Sequence, residues 1–231
     1  MTGASGGLGQ ALLPVLVAGG AQVAACHFGA APGDAAEGVA WFRLDVSDED
    51  DVRAVVRDVR ARFGRIDHVV HLAGVVGRGP LVDVSLDDWN RLLAVNLTSA
   101  FLMARECHAA LKESRGSLVL LSSTNGINGG SHLSGPAYAA AKAGLINLTR
   151  YLAKEWMADG IRVNCVAPGP VATPMLDRLS EETLQALRDI SLNRTFVTAE
   201  QVAAKIAFLL SDHGAQLTGT VSNMSAGLLL D

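Results

Sequence analysis

Short apolar segments alternate with longer amphipathic segments along nearly the whole of this chain. The short segments are rich in β-branched residues and have the length of buried strands, whereas the longer ones repeat apolar residues every three or four positions, as helices do. This alternation is typical of βαβ units, in which parallel strands form one sheet and helices cover its faces. We therefore predict an α/β fold, with a doubly wound parallel sheet in a single domain that spans residues 1–231.

The element boundaries follow from this pattern and from capping residues. Residues 30–38 are rich in Ala, Pro and Gly, which predicts an abbreviated crossover, and residues 173–195 are loosely amphipathic, as a mobile lid would be. The predicted N-caps are Ser47, Ser85 and Thr198. The predicted strands are residues 22–26, 41–46, 66–71, 118–121, 161–166 and 217–223, and the predicted helices are residues 9–18, 48–63, 86–111, 137–157 and 199–210.

Parallel sheets bind ligands beyond the carboxyl ends of their strands. The loops at these ends are therefore expected to form one site. They contain Gly3, Asp45, Gly74, Ser123 and Pro168.

The composition excludes several classes of protein. A net charge of -4 argues against a partner that is a nucleic acid or a membrane surface, and no apolar run has the roughly 18 residues that a membrane span needs. The apolar N-terminal stretch has no basic segment before it, so we expect no signal peptide. The three cysteines have no motif spacing, which indicates buried thiols in a reducing compartment and predicts a cytoplasmic protein: Cys26, Cys107 and Cys165.

Tyr138 and Lys142 form the most chemically informative pair. Residues four apart on a helix share one face, roughly 6 Å apart. The pKa of a phenol is about 10, and a neighbouring ammonium favours the phenolate, which brings that pKa toward neutral pH. Ser123, at a predicted strand end, supplies a hydroxyl that can hold a carbonyl or alcohol oxygen. Such a pair alone is most often a packed ring and a solvated lysine, but with Ser123 it predicts proton transfer to a substrate oxygen during hydride transfer at carbon.

Residues 2–9, Thr-Gly-Ala-Ser-Gly-Gly-Leu-Gly, form a glycine-rich turn that opens a helix. Such a turn lets backbone N–H groups and the helix dipole approach a pyrophosphate.

A carboxylate at the end of the second strand usually binds the ribose 2′-hydroxyl of NAD and repels the 2′-phosphate of NADP. Here the strand ends at Cys26-His27-Phe28 without an acid, and His27 either donates to a 2′-phosphate or is simply a polar residue. We predict a weak preference for NADP(H) over NAD(H).

With these residues in order, the chain resembles the short-chain dehydrogenase/reductase family over essentially its whole length. It is most similar to the 3-oxoacyl-(acyl-carrier-protein) reductase-like branch, through Asn96-Leu-Thr-Ser-Ala-Phe and Ala-Ala-Lys142-Ala-Gly. The resemblance implies a Rossmann-type sheet whose first strand is largely missing from this chain. The matching set is Thr2-Gly-x-x-x-Gly-x-Gly9, Asp45-Val46, Ala73-Gly74, Asn96, Ser123, Tyr138-x-x-x-Lys142 and Pro168-Gly169 with Thr173.

The resemblance implies a role for each matching residue. Tyr138 is the expected general acid/base, Lys142 lowers the Tyr138 pKa and binds the nicotinamide ribose, and Ser123 orients the substrate oxygen. Asn96 is expected to hold a water in a proton relay from Lys142. No metal is expected, and the expected cofactor-binding residues are Gly3, Ser5, Gly7, Leu8, Gly9, His27, Asp45, Val46, Ala73, Gly74, Tyr138, Lys142, Pro168, Gly169, Val171 and Thr173.

Four departures from the family pattern stand out. The chain begins at Met1, so the strand that normally precedes the glycine turn is almost absent; we expect that the natural product starts upstream or that something else fills the gap. Leu72 replaces an Asn of the family's Asn-Asn-Ala-Gly and cannot make its side-chain hydrogen bonds. The loop at residues 129–135, beside the expected substrate pocket, accounts for two extra residues, and residues 223–227 lack the usual acidic turn.

The favoured function is that of an NAD(P)-dependent oxidoreductase which interconverts a ketone and a secondary alcohol. One alternative is a catalytically weak binding or regulatory protein on the same fold, which Leu72 supports and the four catalytic residues oppose. Another keeps the fold but uses Tyr138 for elimination or epimerisation.

The substrate is expected to be a small molecule, and an acyl compound, a small ketone, a sugar and a polyketide are all compatible. The resemblance implies a homodimer or homotetramer built on helices 86–111 and 137–157.

Overall fold

The computed structural model describes residues 1–29 and 36–230, which contain eight strands and eight α-helices. The strands are β1 (Val23–His27), β2 (Val39–Arg43), β3 (His68–His71), β4 (Ser117–Leu121), β5 (Arg162–Pro168), β6 (Val171–Ala172), β7 (Val197–Thr198) and β8 (Val221–Met224). The helices are α1 (Gly7–Ala18), α2 (Glu49–Phe63), α3 (Leu86–Leu93), α4 (Ser99–Ser114), α5 (Asn125–Asn128), α6 (Pro136–Glu155), α7 (Glu181–Asp189) and α8 (Ala199–Leu210).

All the strand pairs are parallel. Six strands form the two parts of a main sheet, and β6 pairs with β7 apart from it. Strands β3, β4, β5 and β8 are paired in the order β3-β4-β5-β8, and β1 pairs with β2. The first residues of the chain join the two parts: Met1 O accepts from Cys26 N at 2.8 Å, and Thr2 N donates to Val70 O at 3.0 Å. The predicted doubly wound Rossmann-type sheet is confirmed, with a first strand reduced to a single bridge between Thr2 and His71.

Helices cover both faces of this sheet because successive strand residues point to opposite sides. In β4, the neighbours Leu118 and Val119 are both fully buried but lie in different apolar clusters. Leu118 packs with residues of α2, α4 and α6, whereas Val119 packs with residues of α1 and α8. Burial on both faces explains why the central strands are continuous apolar runs.

The helix predicted over residues 86–111 is interrupted. Ser85 caps it as predicted, since its hydroxyl accepts from Asp88 N at 3.1 Å. The α-helical pattern ends at Leu93 and resumes at Ser99, with a π-helix over Ala94–Thr98 between them. Such single-turn π segments are often found at functional sites, and this one contains Asn96.

Helix capping was predicted correctly at Thr198 and incorrectly at Ser47. Thr198 opens α8 through a capping box, in which its hydroxyl accepts from Gln201 N at 3.2 Å and Gln201 Oε1 accepts from Thr198 N at 2.9 Å. The N-cap of α2 is Asp48, whose carboxylate accepts a backbone N–H of the first turn at 2.9 Å. Ser47 is one residue too early because its hydroxyl donates to another side chain, that of Asp45.

Other predicted limits differ by a few residues. Strand β2 ends at Arg43 rather than residue 46, and β8 is shorter than the predicted 217–223. The predicted crossover at 30–38 lies mostly outside the described residues.

In the described part of the chain, no helix is long and apolar enough to cross a membrane, and no group of His, Cys, Asp and Glu is arranged to bind a metal.

Candidate active site

Lys142 lies on α6 with its ammonium buried against the carboxyl end of β4. Its Nζ donates to Leu121 O at 2.7 Å, and only 3% of the residue is exposed. Ser122 Oγ donates in turn to Lys142 O at 2.7 Å, so the helix is fastened to the strand end at two points. Burial lowers the pKa of Lys142 to about 8, with a small opposing effect of Cys165, because loss of hydration disfavours the charged ammonium.

Tyr138 lies one turn before Lys142, as the sequence predicted, with Lys142 Nζ 5.4 Å from its ring centroid. Burial raises the pKa of the Tyr138 phenol, while the Ser123 hydroxyl and the charge of Arg178 lower it. The Lys142 ammonium is held by Leu121 O and faces the ring. That Lys142 lowers the Tyr138 pKa stays a prediction.

Ser123 is positioned by the end of β4 and by the short helix that follows. It is 9% exposed, and its Oγ accepts from Asn125 N at 3.2 Å. Its hydroxyl is close enough to the Tyr138 phenol to lower the pKa of Tyr138. The two hydroxyls therefore lie near one another, where a substrate oxygen could accept from both.

Asn96 is fully buried in the π-helix, and its side-chain amide is hydrogen-bonded to backbone groups. Nδ2 donates to Val75 O at 2.8 Å and to Leu92 O at 2.9 Å, and Oδ1 accepts from Val75 N at 3.2 Å. Both amide hydrogens are therefore bonded to backbone carbonyls, and the side chain fixes the loop after β3 against the helix. That Asn96 takes part in a proton relay stays a prediction.

Gly74 lies between Asn96 and Lys142. A Cβ placed on Gly74 would lie 2.8 Å from Asn96 Oδ1 and 3.5 Å from Lys142 Nζ. Only glycine therefore fits without displacing the Asn96 amide. This close packing brings the loop after β3 and the two helices together at one point.

The glycine-rich turn packs against the loop after β3. Gly3 has φ +65°, and a Cβ there would lie 2.8 Å from Ala73 N. A Cβ on Gly9 would lie 2.5 Å from Ala4 O. A side chain at this position would therefore push the first turn of α1 away from the glycine-rich turn. The N-cap Gly6 makes no side-chain cap hydrogen bond, which leaves N–H groups of the first turn, from Gly7 through Leu8 and beyond, able to bind an anion.

The loop after β5 meets the same turn from the other side. Pro168 O accepts from Thr124 N at 2.9 Å, which ties the loop to the strand end that carries Ser123. Thr173 contacts the glycine turn: a Cβ on Gly7 would lie 2.9 Å from the Thr173 side chain. Between them, Gly169 packs against the tail that follows β8, and Val171 pairs with β7.

The predicted adenosine end is built from β1 and β2. His27 is 7% exposed, its ring lies 5.9 Å from that of Trp41, and its Nδ1 has no hydrogen-bond partner. Asp45 Oδ1 accepts from both Ser47 N and Ser47 Oγ, at 2.9 and 2.6 Å, so one carboxylate oxygen is engaged in its own turn. Val46 beside it is buried.

The predicted residues therefore fall into two groups. The structure brings together Asn96, Ser123, Tyr138 and Lys142 with the loops that contain Gly74, Gly3 and Pro168. His27, Asp45 and Val46 lie apart, at the carboxyl ends of β1 and just beyond β2, and Ser5 is exposed on the glycine turn. Asp45 makes no side-chain hydrogen bond to the catalytic group within the described residues; its bonds stay in its own turn.

Sequence reasoning missed a buried hydrogen-bond chain behind the glycine turn. His71 Nδ1 bonds Thr2 Oγ1 at 2.9 Å, and His71 Nε2 bonds Ser99 Oγ at 2.9 Å. Because Ser99 Oγ donates to Val95 O at 2.6 Å, it accepts from Nε2–H, and Nδ1 accepts from Thr2. A histidine at the end of an apolar strand was the available signal, since a buried imidazole needs two partners. Its neighbour Leu72 is buried in the core with α1 and α8.

Comparisons with known proteins agree with this architecture. A family model described as enoyl-(acyl carrier protein) reductase matches residues 3–228. A 3-oxoacyl-(acyl-carrier-protein) reductase FabG of Thermotoga maritima is 37% identical over 240 residues, with 100% of this chain and 96% of the relative covered. The (3R)-3-hydroxyacyl-CoA dehydrogenase of Homo sapiens is 34% identical over 248 residues, with 100% and 94% covered. The crystal structure of a short-chain dehydrogenase/reductase (glucose/ribitol dehydrogenase) from Brucella melitensis superposes with a TM-score of 0.90, at 29% identity and with 100% and 95% covered.

Proposed function

The chain belongs to the short-chain dehydrogenase/reductase family of enzymes, and we propose that it interconverts a ketone and a secondary alcohol with a nicotinamide cofactor. The observation that carries this proposal is the convergence of Tyr138, Ser123 and Lys142 on one buried point beside the glycine turn. A 3-oxoacyl or 3-hydroxyacyl thioester is the substrate class to test first, because two of the relatives are named for compounds of that class.

The residues present fit a dinucleotide. The glycine turn forms a cradle in which a Cβ at Gly3, Gly7 or Gly9 would lie within 3 Å of a neighbouring atom. The uncapped start of α1 offers N–H groups and the positive end of a helix dipole to a pyrophosphate. We propose that these glycines, with Ser5 and Leu8, hold the pyrophosphate. The other predicted cofactor-binding residues would hold the two nucleosides: His27, Asp45, Val46, Ala73, Gly74, Tyr138, Lys142, Pro168, Gly169, Val171 and Thr173.

The chain's own residues supply position and a proton, while the bound nicotinamide supplies the hydride. In the reductive direction, Ser123 Oγ donates to the substrate carbonyl oxygen, and the Tyr138 hydroxyl donates its proton to the same oxygen as the alcohol forms. Lys142 has two ammonium hydrogens beyond the one that binds Leu121 O, and these would be available to the ribose of a bound nicotinamide. Asn96 fixes the loop of Gly74 and Val75, so that the nicotinamide end keeps its shape.

Direct binding tests the proposal. Purified protein titrated with NADPH and NADH, followed by nicotinamide fluorescence, should show saturable binding of at least one of them. Oxidation of the bound cofactor by a 3-oxoacyl thioester would then establish the reaction. Well-folded protein that binds neither dinucleotide would refute the proposed enzyme and favour a binding or regulatory role on this fold.

We propose that NADP(H) is weakly preferred, with His27 as the residue that selects it. No carboxylate stands at this strand end to repel a 2′-phosphate, and His27 Nδ1 has no hydrogen-bond partner among the described residues. His27→Asp should weaken NADPH binding by about tenfold or more, because a carboxylate repels the 2′-phosphate, and should spare NADH. Fluorescence titration of both cofactors checks this, with His27→Gln as the neutral control; an equal loss for both cofactors would contradict it.

The proposed assembly is a homodimer or homotetramer built on α4 and α6. An apolar groove between these helices leaves Phe101 47% and Tyr151 62% exposed, with Leu97 and Leu148 in its floor. Exposed aromatic side chains on adjoining helices are typical of subunit interfaces. Phe101→Glu should shift the protein toward monomer in light scattering after size exclusion. Val82→Glu, at a residue that is 90% exposed elsewhere, should not; an unchanged mass for Phe101→Glu would contradict the interface.

The proposed compartment is the cytoplasm. Cys26, Cys107 and Cys165 are free and buried, and burial raises the pKa of each thiol. Buried protonated thiols react slowly with oxidants and disulfides. A core that keeps three such thiols suits a reducing compartment.

A further inference from the structure

The predicted lid, residues 173–195, starts and ends at one small parallel sheet. Strand β6 leads into it and β7 follows it, with Val171 paired to Val197 and Ala172 to Thr198. The two ends of the segment are therefore held on neighbouring strands, and its orientation depends on what its last residues contact. Those contacts are made with the tail that follows β8, which is also where the sequence lacks the acidic turn of the family.

The carbonyl of Ala226 accepts two hydrogen bonds from the end of the lid. Ser191 Oγ donates to Ala226 O at 2.6 Å, and Asn193 N donates to the same oxygen at 3.1 Å. Ser191 is 5% exposed, so water has little access to this bond, which strengthens it. Leu192 packs against the next tail residue, since a Cβ on Gly227 would lie 2.6 Å from the Leu192 Cβ. Three consecutive lid residues thus bond to or pack on two consecutive tail residues.

The backbone of the tail is shaped for this contact. Ala226 has φ +54° and Gly227 has φ +81°, and residues other than glycine rarely adopt a positive φ. Such a conformation persists where the surrounding contacts fix it. The tail is closed by bonds of its own, because Ser225 Oγ donates to Leu229 O and accepts from Leu229 N, both at 3.2 Å. Ala226 O is therefore presented to the lid by a turn with a fixed shape.

The same tail contacts the loop after β5 on its other side. Gly169 N donates to Met224 O at 2.9 Å, and Pro168 is paired with Met224 between β5 and β8. A Cβ on Gly169 would lie 3.1 Å from Ser225 Cα, so the two backbones pack closely. Pro168 and Gly169 are among the residues proposed to bind the cofactor. A continuous path of contacts therefore runs from the proposed cofactor site, through the tail, to the end of the lid.

We propose that Ser191 is a positioning residue whose hydrogen bond to Ala226 O joins the lid to the loop of Pro168 and Gly169, and so couples cofactor binding to the position of the lid. This inference rests on the proposed function, because it takes that loop to be part of the cofactor site. When a dinucleotide orders the loop, the tail packed on it is ordered too and holds the end of the lid. Without the bond, the cofactor still binds, but the lid no longer responds to it.

Hydrogen exchange by mass spectrometry, with and without saturating NADPH or NADH, tests this coupling and requires no turnover. In the wild type, the cofactor should slow the exchange of amides in residues 174–190 as well as those of the glycine turn. In Ser191→Ala, one of the two bonds to Ala226 O is lost, so without cofactor the lid amides should exchange faster by about threefold or more. With cofactor, the glycine turn should still be protected, whereas the protection of residues 174–190 should be largely lost.

Ser211→Ala is the matched control, because Ser211 Oγ also donates to a backbone carbonyl, that of Phe208 at 2.9 Å, but lies outside the lid. It should leave both the exchange of the lid and its response to cofactor unchanged. Gly227→Ala is the second variant, since the new Cβ would displace Leu192 and should uncouple the lid although Ser191 is retained. With a ketone substrate, both uncoupled variants should raise KM by about threefold or more and keep kcat within about twofold.

Equal protection of the lid by cofactor in Ser191→Ala and in the wild type would overturn the proposal, as would a wild-type lid that does not respond to a bound cofactor. If neither dinucleotide protects the glycine turn, the proposed function fails instead. In that case the exchange without cofactor still decides the contact. Faster lid exchange in Ser191→Ala, and not in Ser211→Ala, would retain Ser191 as the residue that positions the lid, and equal rates would refute it.

Discussion

Tyr138→Phe should lower turnover by at least about 10²-fold, because it removes the one hydroxyl placed to give a proton to the substrate oxygen. The ring itself is retained, so its packing against the Lys142 ammonium, 5.4 Å from the centroid, is preserved. Ser123 keeps its bond from Asn125 N, and the glycine turn is untouched. We therefore expect the loss in turnover with little change in cofactor affinity or in the melting temperature.

The matched control for this variant is Tyr151→Phe, which removes the other tyrosine of the chain. Tyr151 lies on the same helix, where its hydroxyl donates to Glu155. The change keeps the ring that the proposed subunit interface would contain, so turnover should stay within about twofold. Steady-state kinetics with a saturating cofactor and circular dichroism on each variant make the comparison. Near-wild-type turnover in Tyr138→Phe would show that Tyr138 is not the general acid. The Ser123 hydroxyl would then be the next candidate for that role.

Elements fixed by local chemistry could be predicted from the sequence. The start of α8 follows from Thr198 and Gln201, whose reciprocal hydrogen bonds involve residues three apart. The glycine turn follows from residues that tolerate positive φ or close contact, as Gly3 does. The parallel arrangement of the strands follows from their alternation with helices, because parallel strands need a crossover. In each case the deciding interaction lies within a few residues of the pattern that predicts it.

Elements fixed by distant contacts could not be predicted. In the π-helix, the Asn96 side chain is hydrogen-bonded to the backbone of Val75, 21 residues away. Local helix propensity does not specify that partner. The direction of the Lys142 ammonium is set by Leu121 O, which belongs to another strand. The hydrogen bond from Arg178 to Leu133 O joins two segments 45 residues apart, and no local pattern specifies it. Helical spacing placed Tyr138 and Lys142 on one face but could not say which group the ammonium would meet.

The buried chain from Thr2 through His71 to Ser99 predicts how this protein responds to acid. Burial, with the charges of Lys142 and the N-terminus, lowers the pKa of His71 to about 3 from an ordinary value of 6.5. Between these two values the unfolded chain binds a proton that the folded chain does not. The free energy of unfolding should therefore be constant above pH 6.5 as far as this residue is concerned, and should fall by about 2 kcal/mol by pH 5 and about 5 kcal/mol below pH 3.

The folded protein keeps this imidazole neutral over that range, because the ring links the glycine turn to the helix that follows Asn96. In its neutral form, Nδ1 accepts from Thr2 Oγ1, which in turn accepts from Ala73 N at 3.3 Å. A proton on Nδ1 would leave two donors facing each other, and with a folded-state pKa of about 3 the ring does not take one up between pH 7 and 5. Cofactor affinity measured between pH 7 and 5 should therefore not change through His71, while the free energy of unfolding falls.

His71→Gln separates this effect from other titrations. An amide offers one donor and one acceptor and does not titrate, so the variant should lose about 1 to 3 kcal/mol near pH 7.5 through imperfect bonds yet show a flatter stability profile between pH 6.5 and 4.5. His213→Gln is the control, since His213 is exposed in the short segment that follows α8. Urea unfolding at each pH gives the profiles. If wild type and His71→Gln lost stability in parallel as the pH fell, the acid sensitivity would lie in the surface carboxylates, and His71 would be a structural residue without a titrating role.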